Sequence, residues 1–297
     1  MGHLTSQVRV ATFGGVSAFP VRVAERLGLT SGRGLTLETG TTPDSTSLRD
    51  DLLAGRIDIA HAAPDNAVAW ADASGPASGP TTVAVWLAGS NGPISLVSRP
   101  AGPLASLRGA RIGVDAPDSG FAPILVRLLG AAGLGPDDVD LVPLGATRRR
   151  YAALADGLVD ASMLTLPWSA LAVMAGCHRL ADHASVAPCL LTSAAIVRRG
   201  WLGEHPAVAE GYRAALAGAL SWLRDQGSRD AATAWLAEDL GLDEPVAREV
   251  LAVMDDPLLG WPAAVDLTRD ALDDVIALRA SAGRPPARDG ASYLAGG

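Results

Sequence analysis

The sequence predicts an α/β protein of two lobes, each a mostly parallel sheet flanked by helices, with a ligand cleft between the lobes. Three observations carry this expectation. First, short apolar runs bounded by glycine or polar residues alternate with amphipathic stretches, an order of elements that right-handed crossovers turn into parallel sheets. Second, that order repeats at a fixed offset. Gly55-Arg56-Ile57-Asp58 returns as Gly157-Leu158-Val159-Asp160, 102 positions later. Arg9-Val10-Ala11 and Arg111-Ile112-Gly113, Ser17-Ala18-Phe19 and Ser119-Gly120-Phe121, and Leu27-Gly28 and Leu129-Gly130 share the offset. Third, 297 residues that are 48% hydrophobic can bury one large core or two medium ones, so two lobes fit. Residues 1–92 with 198–297 are assigned to one lobe and residues 93–197 to the other.

In the first lobe an alternating strand from Val8 to Phe13 runs into Gly14-Gly15-Val16-Ser17. Glycines there either bring the backbone close to a ligand or make a tight turn. Ser17 is expected to cap a helix whose free amides would attract an anion. A second strand from Leu35 to Thr39 is followed by Thr41 and Thr42, which face either the cleft or solvent. Asp44 or Ser45 then caps the helix through Leu48 and Leu52. The next apolar run ends at Ala60, and after it come an imidazole, a carboxylate and an amide: His61, Asp65 and Asn66. Ligands of open α/β sheets sit beyond the carboxyl ends of strands, so these three are leading site candidates. A Gly/Pro/Ser loop at 73–80 and a strand at 82–87 lead to Ser90 and Asn91 at a hinge.

The second lobe repeats this grammar. The strand Ile112 to Val114 ends in Asp115, Asp118, Ser119 and Gly120, a second turn aimed at the same cleft or a second helix cap. A strand ending at Pro143 precedes Arg148-Arg149-Arg150. Neighbours on a helix point in different directions, so at most one of these arginines reaches the cleft. Trp168 follows the next strand, as a stacking wall or as core. Cys177, His178, His183 and Cys189 lack the paired close spacing of zinc modules, so neither metal nor cofactor is expected. Leu190 to Val197 returns as a strand with Thr192 and Ser193 at the second hinge. Helices follow from His205-Pro206, with a stripe of Val208, Tyr212, Leu216, Leu220 and Leu223, and then at 232–240, 246–254 and 266–280, before a Gly-rich tail.

A net charge of −8 argues against nucleic acid, whose phosphates demand a basic face. All 24 basic residues are arginine, which excludes lysine Schiff-base chemistry and a Walker-type phosphate loop. No run of about 18 apolar residues would span a membrane. The N-terminus enters a strand without a secretory signal, so a cytoplasmic location is expected, or the cell envelope if a leader precedes the sequence.

Leu53-Ala54-Gly55-Arg56-Ile57-Asp58-Ile59-Ala60, Leu107-Arg108-Gly109-Ala110-Arg111-Ile112-Gly113-Val114 and Leu166-Pro167-Trp168 resemble segments of the substrate-binding proteins of ABC importers for nitrate, sulfonates, taurine and thiamine-pyrimidine precursors. The resemblance runs over roughly residues 7 to 225. It implies the type 2 periplasmic-binding fold, and a monomer that closes on a small molecule and presents it to a membrane permease. The same fold also serves cytoplasmic enzymes. However, this chain has no cysteine in the first-strand turn where sulfinate desulfinases carry their nucleophile, and no cysteine-rich iron motif like that of the yeast-type pyrimidine synthase.

Two functions fit. One is the substrate-binding component of an ABC-type importer, taking a small polar or anionic organic molecule through Gly15, Ser17, Thr41, His61, Asp65, Asn66, Asn91, Asp115, Ser119, Gly120 and Trp168. The alternative is a cytoplasmic lyase, decarboxylase or dehydratase with His61 as acid or base and Asp65 orienting it. A structural role for His61 at the hinge is the third option.

Overall fold

The computed structural model describes residues 5–74, 81–116 and 120–296. Most of the expected loop, at 75–80, and the candidates Asp118 and Ser119 lie outside the described residues.

The chain opens with β1 (Ser6–Thr12), α1 (Phe19–Arg26), β2 (Leu35–Thr41), α2 (Ser45–Leu53), β3 (Ile59–Ala62), α3 (Pro64–Ser74) and β4 (Val83–Ser90). It crosses into β5 (Ile94–Ser98), β6 (Arg111–Val114), α4 (Ala122–Ala131), β7 (Asp140–Pro143), α5 (Thr147–Ala155), β8 (Ala161–Thr165), α6 (Trp168–Met174) and β9 (His178–Asp182). It returns through β10 (Ser193–Arg198) and finishes in α7 (Arg199–Glu204), α8 (Pro206–Arg224), α9 (Arg229–Leu240), α10 (Glu244–Met254) and α11 (Asp273–Ser281). The two sheets, β2-β1-β3-β10-β4 and β7-β6-β8-β5-β9, have one order used twice. In each, three parallel strands meet an antiparallel fourth, β10 in the first sheet and β5 in the second.

Local chemistry explains the repeat. The side chain of Asp44 accepts a hydrogen bond from Ser47 N at 2.7 Å and so caps α2. Gly55 and Gly157, with φ of 71° and 74°, take the left-handed turn after α2 and α5 that other residues resist. The chain then enters a strand at an aspartate that the preceding parallel strand clamps. Arg9 reaches Asp58 through N, Nε and Nη2 at 2.9, 3.0 and 2.7 Å. Arg111 reaches Asp160 through the same three donors at 2.9, 3.1 and 2.9 Å. Backbone bonds return the contact, Asp58 N to Arg9 O at 2.9 Å and Asp160 N to Arg111 O at 2.8 Å.

Four expectations need correction. Ser193 to Val197 were assigned to the second lobe, yet β10 bonds to β3 and β4 and belongs to the first sheet. Ser17 caps nothing: it lies in a one-turn 3-10 helix, and α1 starts without a side-chain cap. The last helix begins at Asp273 and not at 266, because Asp266 is extended and bridged to Leu87 while Val265 O accepts from Ala88 N at 2.8 Å. The C-terminal region is also not purely a first-lobe element, since α11 packs against both α3 and α4.

Burial pushes the Asp58 carboxyl upward, but its hydrogen bonds and ion pair with Arg9 outweigh this and hold it below the usual carboxylate range. A depressed folded-state pKa gives stability that is present above the unfolded value and lost as pH falls through the folded one. Asp58→Asn is expected to destabilise the protein by about 1–3 kcal/mol at neutral pH, read as a lowered urea midpoint. Asp160→Asn, at the more exposed second clamp, is expected to cost less. Equal midpoints for wild type and Asp58→Asn would contradict this role.

Candidate ligand cleft

The carboxyl ends of β1, β3, β6 and β8 converge on a cavity of about 70 Å³ between the lobes, closed at the hinge side by Ser90, Thr192 and Ser193. The first lobe contributes Phe13, Ser17, His61 and Asn66; the second contributes Asp115, Phe121, Thr147, Arg150, Thr165 and Trp168. At the hinge, Thr192 Oγ1 donates to Ser90 O and Gly92 O at 3.0 and 2.9 Å, stitching the two crossings together.

The lobes are in contact across this cavity. Gly120 N donates to Asn66 Oδ1 at 2.8 Å, and Ala146 N donates to Pro43 O at 2.9 Å. Glycine is required where the backbones approach: a Cβ on Gly120 would lie 2.7 Å from that of Ala63, and one on Gly15 3.1 Å from Leu166 O.

Three ionisable groups in the wall are perturbed. Arg150 is 2% exposed, and burial lowers its pKa to about 10, with Asp115 opposing the shift. Its Nε, Nη1 and Nη2 donate to Met163 O, Gly145 O and Thr147 Oγ1 at 3.0, 2.6 and 2.8 Å, all neutral acceptors. Among the described residues no carboxylate stands within ion-pair distance of it. Burial raises the Asp115 carboxyl against the pull of a hydrogen bond with Ser45 and the Arg150 charge, and Asp115 Oδ1 has no hydrogen-bond partner. His61 is 3% exposed, and burial alone lowers its pKa to about 4, so the imidazole is neutral at physiological pH. Its Nε2 lies 2.7 Å from Tyr212 Oη.

Of the sequence candidates, Ser17, His61, Asn66, Asp115, Gly120 and Trp168 meet in this cavity. Gly15 and Thr41 line instead an adjoining groove with Arg22, Arg148 and Arg149. Asn91 is a hinge residue outside the wall, its N donating to Gly260 O at 2.9 Å. Asp65 turns away from His61: its Oδ1 accepts from Arg279 Nη1 of α11 at 2.9 Å, so the expected acid–imidazole pair does not form. The cavity also takes in Phe13, Phe121, Thr147 and Thr165, which the sequence does not mark as site residues. Arg150 had been indicated only as one of three, although the buried positions of α5, Thr147, Arg150, Ala153 and Leu154, follow a helical spacing that selects it over Arg148 and Arg149.

A model of the NMT1-like family matches residues 3–237. The chain belongs to the NMT1-like family. No curated protein matches the sequence. Among solved structures, this NMT1-like chain is similar to the alkanesulfonate-binding protein SsuA from Xanthomonas axonopodis pv. citri bound to MOPS, at 21% identity, with 97% of each chain covered and a TM-score of 0.80. It is similar to the zinc-bound ligand-binding component of an ABC-type import system from Staphylococcus aureus, at 16% identity, covering 98% of this chain and 96% of that one, with a TM-score of 0.79. The periplasmic nitrate-binding protein NrtA from Synechocystis PCC 6803 gives 13% identity, 90% and 74% coverage, and a TM-score of 0.73. These likenesses establish the two-lobed periplasmic-binding fold, and the two repeated sheets agree with it.

The contacts around Gly120 make it a probe of closure in this NMT1-like protein. Gly120→Val is expected to hold the lobes apart, enlarging the radius of gyration in solution scattering and weakening ligand binding by about tenfold or more. An unchanged scattering curve and affinity would show that the Gly120–Asn66 contact does not govern closure.

Proposed function

We propose that the protein is the solute-binding component of an ABC-type importer and that its cargo is a small organic anion. The observation that carries this is Arg150, a buried guanidinium in the cleft wall whose protein partners are all neutral. Burying a cation costs several kcal/mol unless an opposite charge offsets it, and a bound sulfonate, carboxylate or similar anion supplies that charge. A planar guanidinium suits such oxyanions. The structural relatives named for binding alkanesulfonate and nitrate, both anions, and the relative named as part of an ABC-type import system support the same reading. In this role the protein works as a monomer at the outer face of the membrane and hands its cargo to a permease. No described helix is long and apolar enough to cross a membrane.

The enzyme alternative has less support, because burial weakens the basicity of His61 and the carboxylate expected to orient it is engaged elsewhere. His61 is neutral, buried and bonded to Tyr212, and Asp65 is bound to Arg279 in place of orienting it.

The test is titration calorimetry with a panel of short alkanesulfonates, carboxylates and their uncharged amides. An acid is expected to bind, its amide to bind at least tenfold more weakly, and Arg150→Met to abolish the difference. Cells lacking the gene should also fail to take up that acid. Equal affinity for acid and amide would overturn the anionic cargo, and normal uptake in the deletion strain would overturn the importer role.

A further inference from the structure

Two wall atoms of the cleft have no partner, and one of them has its hydrogen assigned by the residue behind it. His61 sits in the middle of the first sheet, with Thr12 on one side and Ala195 on the other. Its Nε2 faces Tyr212 of α8, and its Nδ1 is a buried nitrogen without a hydrogen-bond partner, on a residue that lines the cleft. Tyr212 is 2% exposed and its ring stacks on Trp86 at 5.9 Å, so the phenol cannot turn toward solvent. Burial also raises its pKa well above the ordinary phenol value, so the hydroxyl keeps its proton.

That proton needs an acceptor. Among the described residues His61 Nε2 is the one hydrogen-bond partner of Tyr212 Oη. If Nε2 carried a hydrogen it would donate to Tyr212 Oη and leave both the phenol O–H and the Nδ1 lone pair buried and unmet, whereas a hydrogen on Nδ1 leaves only that N–H to be met, a difference of one buried unmet group or about 1–3 kcal/mol. The favourable arrangement is Tyr212 O–H donating to Nε2. A neutral imidazole carries a single N–H, so the hydrogen must then sit on Nδ1.

We propose that His61 is a fixed hydrogen-bond donor to the bound ligand through Nδ1–H, its tautomer set by Tyr212 acting as a positioning residue. The proposal rests on the cleft being the ligand site and deepens that reading. Arg150 takes the anionic group from the second lobe, and His61 takes an acceptor oxygen from the first. The preferred cargo is therefore an acid carrying acceptor oxygens that reach both lobes. A ligand that turns an N–H toward His61 meets another donor and is rejected.

The first experiment is nitrogen NMR of the ring in uniformly ¹⁵N-labelled wild-type protein without added ligand. A protonated Nδ1 and a bare Nε2 are expected; a protonated Nε2 or an imidazolium at neutral pH overturns the proposal. In Tyr212→Phe the ring is expected to lose this single-tautomer signature while the protein remains folded by circular dichroism; a signature unchanged from wild type overturns the positioning role. The second experiment is calorimetry with the same acids and amides. His61→Phe is expected to weaken the best-binding member about tenfold, and His61→Gln, which restores a neutral donor, to recover most of it. Acid binding that needs Arg150 but is unchanged in His61→Phe overturns the proposal and leaves the anionic cargo standing. Amide binding that needs His61, without any preference for acids, overturns the anionic cargo and leaves the proposal standing. If no member of the panel binds, both fail.

Discussion

Everything at the cleft depends on the paired clamps between an arginine on one strand and the aspartate that leads into its parallel neighbour in the sheet. In each lobe the guanidinium and the backbone amide of the arginine take hold of both oxygens of the carboxylate, and the amide of the aspartate answers. The contact fixes the register of two parallel strands at their amino ends. Because the strands are short, fixing one end also fixes the other, and the other ends carry the cavity wall. A four-residue strand such as β3 has few ladder bonds with which to resist slipping. A slip by one residue would turn His61 to the opposite face of the sheet.

The amino ends of the repeats were legible in the sequence because they rest on local chemistry. A glycine that ends a helix, an apolar run and a charged partner at a constant spacing are all written within a few residues. His61, Asn66 and Asp115 were found for the same reason, since a strand exit can be read from the run that precedes it. The misassignments come from long-range partners. Asp65 looked like an orienting acid because nothing nearby competes for it, yet its partner Arg279 stands 214 residues away in a stretch with no repeat to guide the eye. The strand β10 reads the same whether it closes one sheet or the other; only its hydrogen bonds to β3 and β4 decide. Phe13 and Phe121 are apolar residues next to strands and helices, where sequence cannot separate core from cleft.

The electrostatics of the wall are set more by desolvation than by pairing. Arg150, Asp115 and His61 are each displaced by burial in the direction that disfavours charge. The arginine remains charged because its intrinsic basicity is so high, whereas the imidazole is neutral. Among the described residues the cavity wall therefore holds one guanidinium, bonded to neutral acceptors, with the Asp115 carboxyl as its ionisable neighbour. Donors already fixed in this way avoid the reorientation that bulk water would need around a charged group.

The duplication has a consequence for how cargo lies in the cleft. Phe13 and Asp115 occupy equivalent positions of the two halves, as do Asn66 and Trp168, and all four line the cavity. A receptor built from two identical halves would have a pseudo-dyad through its centre and would accept a molecule equally well in either of two orientations. Here each equivalent pair has diverged into one polar and one aromatic member, and the divergence runs opposite ways: the first half has the ring at one position and the second half at the other. The dyad survives in the backbone and is abolished in the lining. A lining of that kind is complementary to an asymmetric guest held in a single direction.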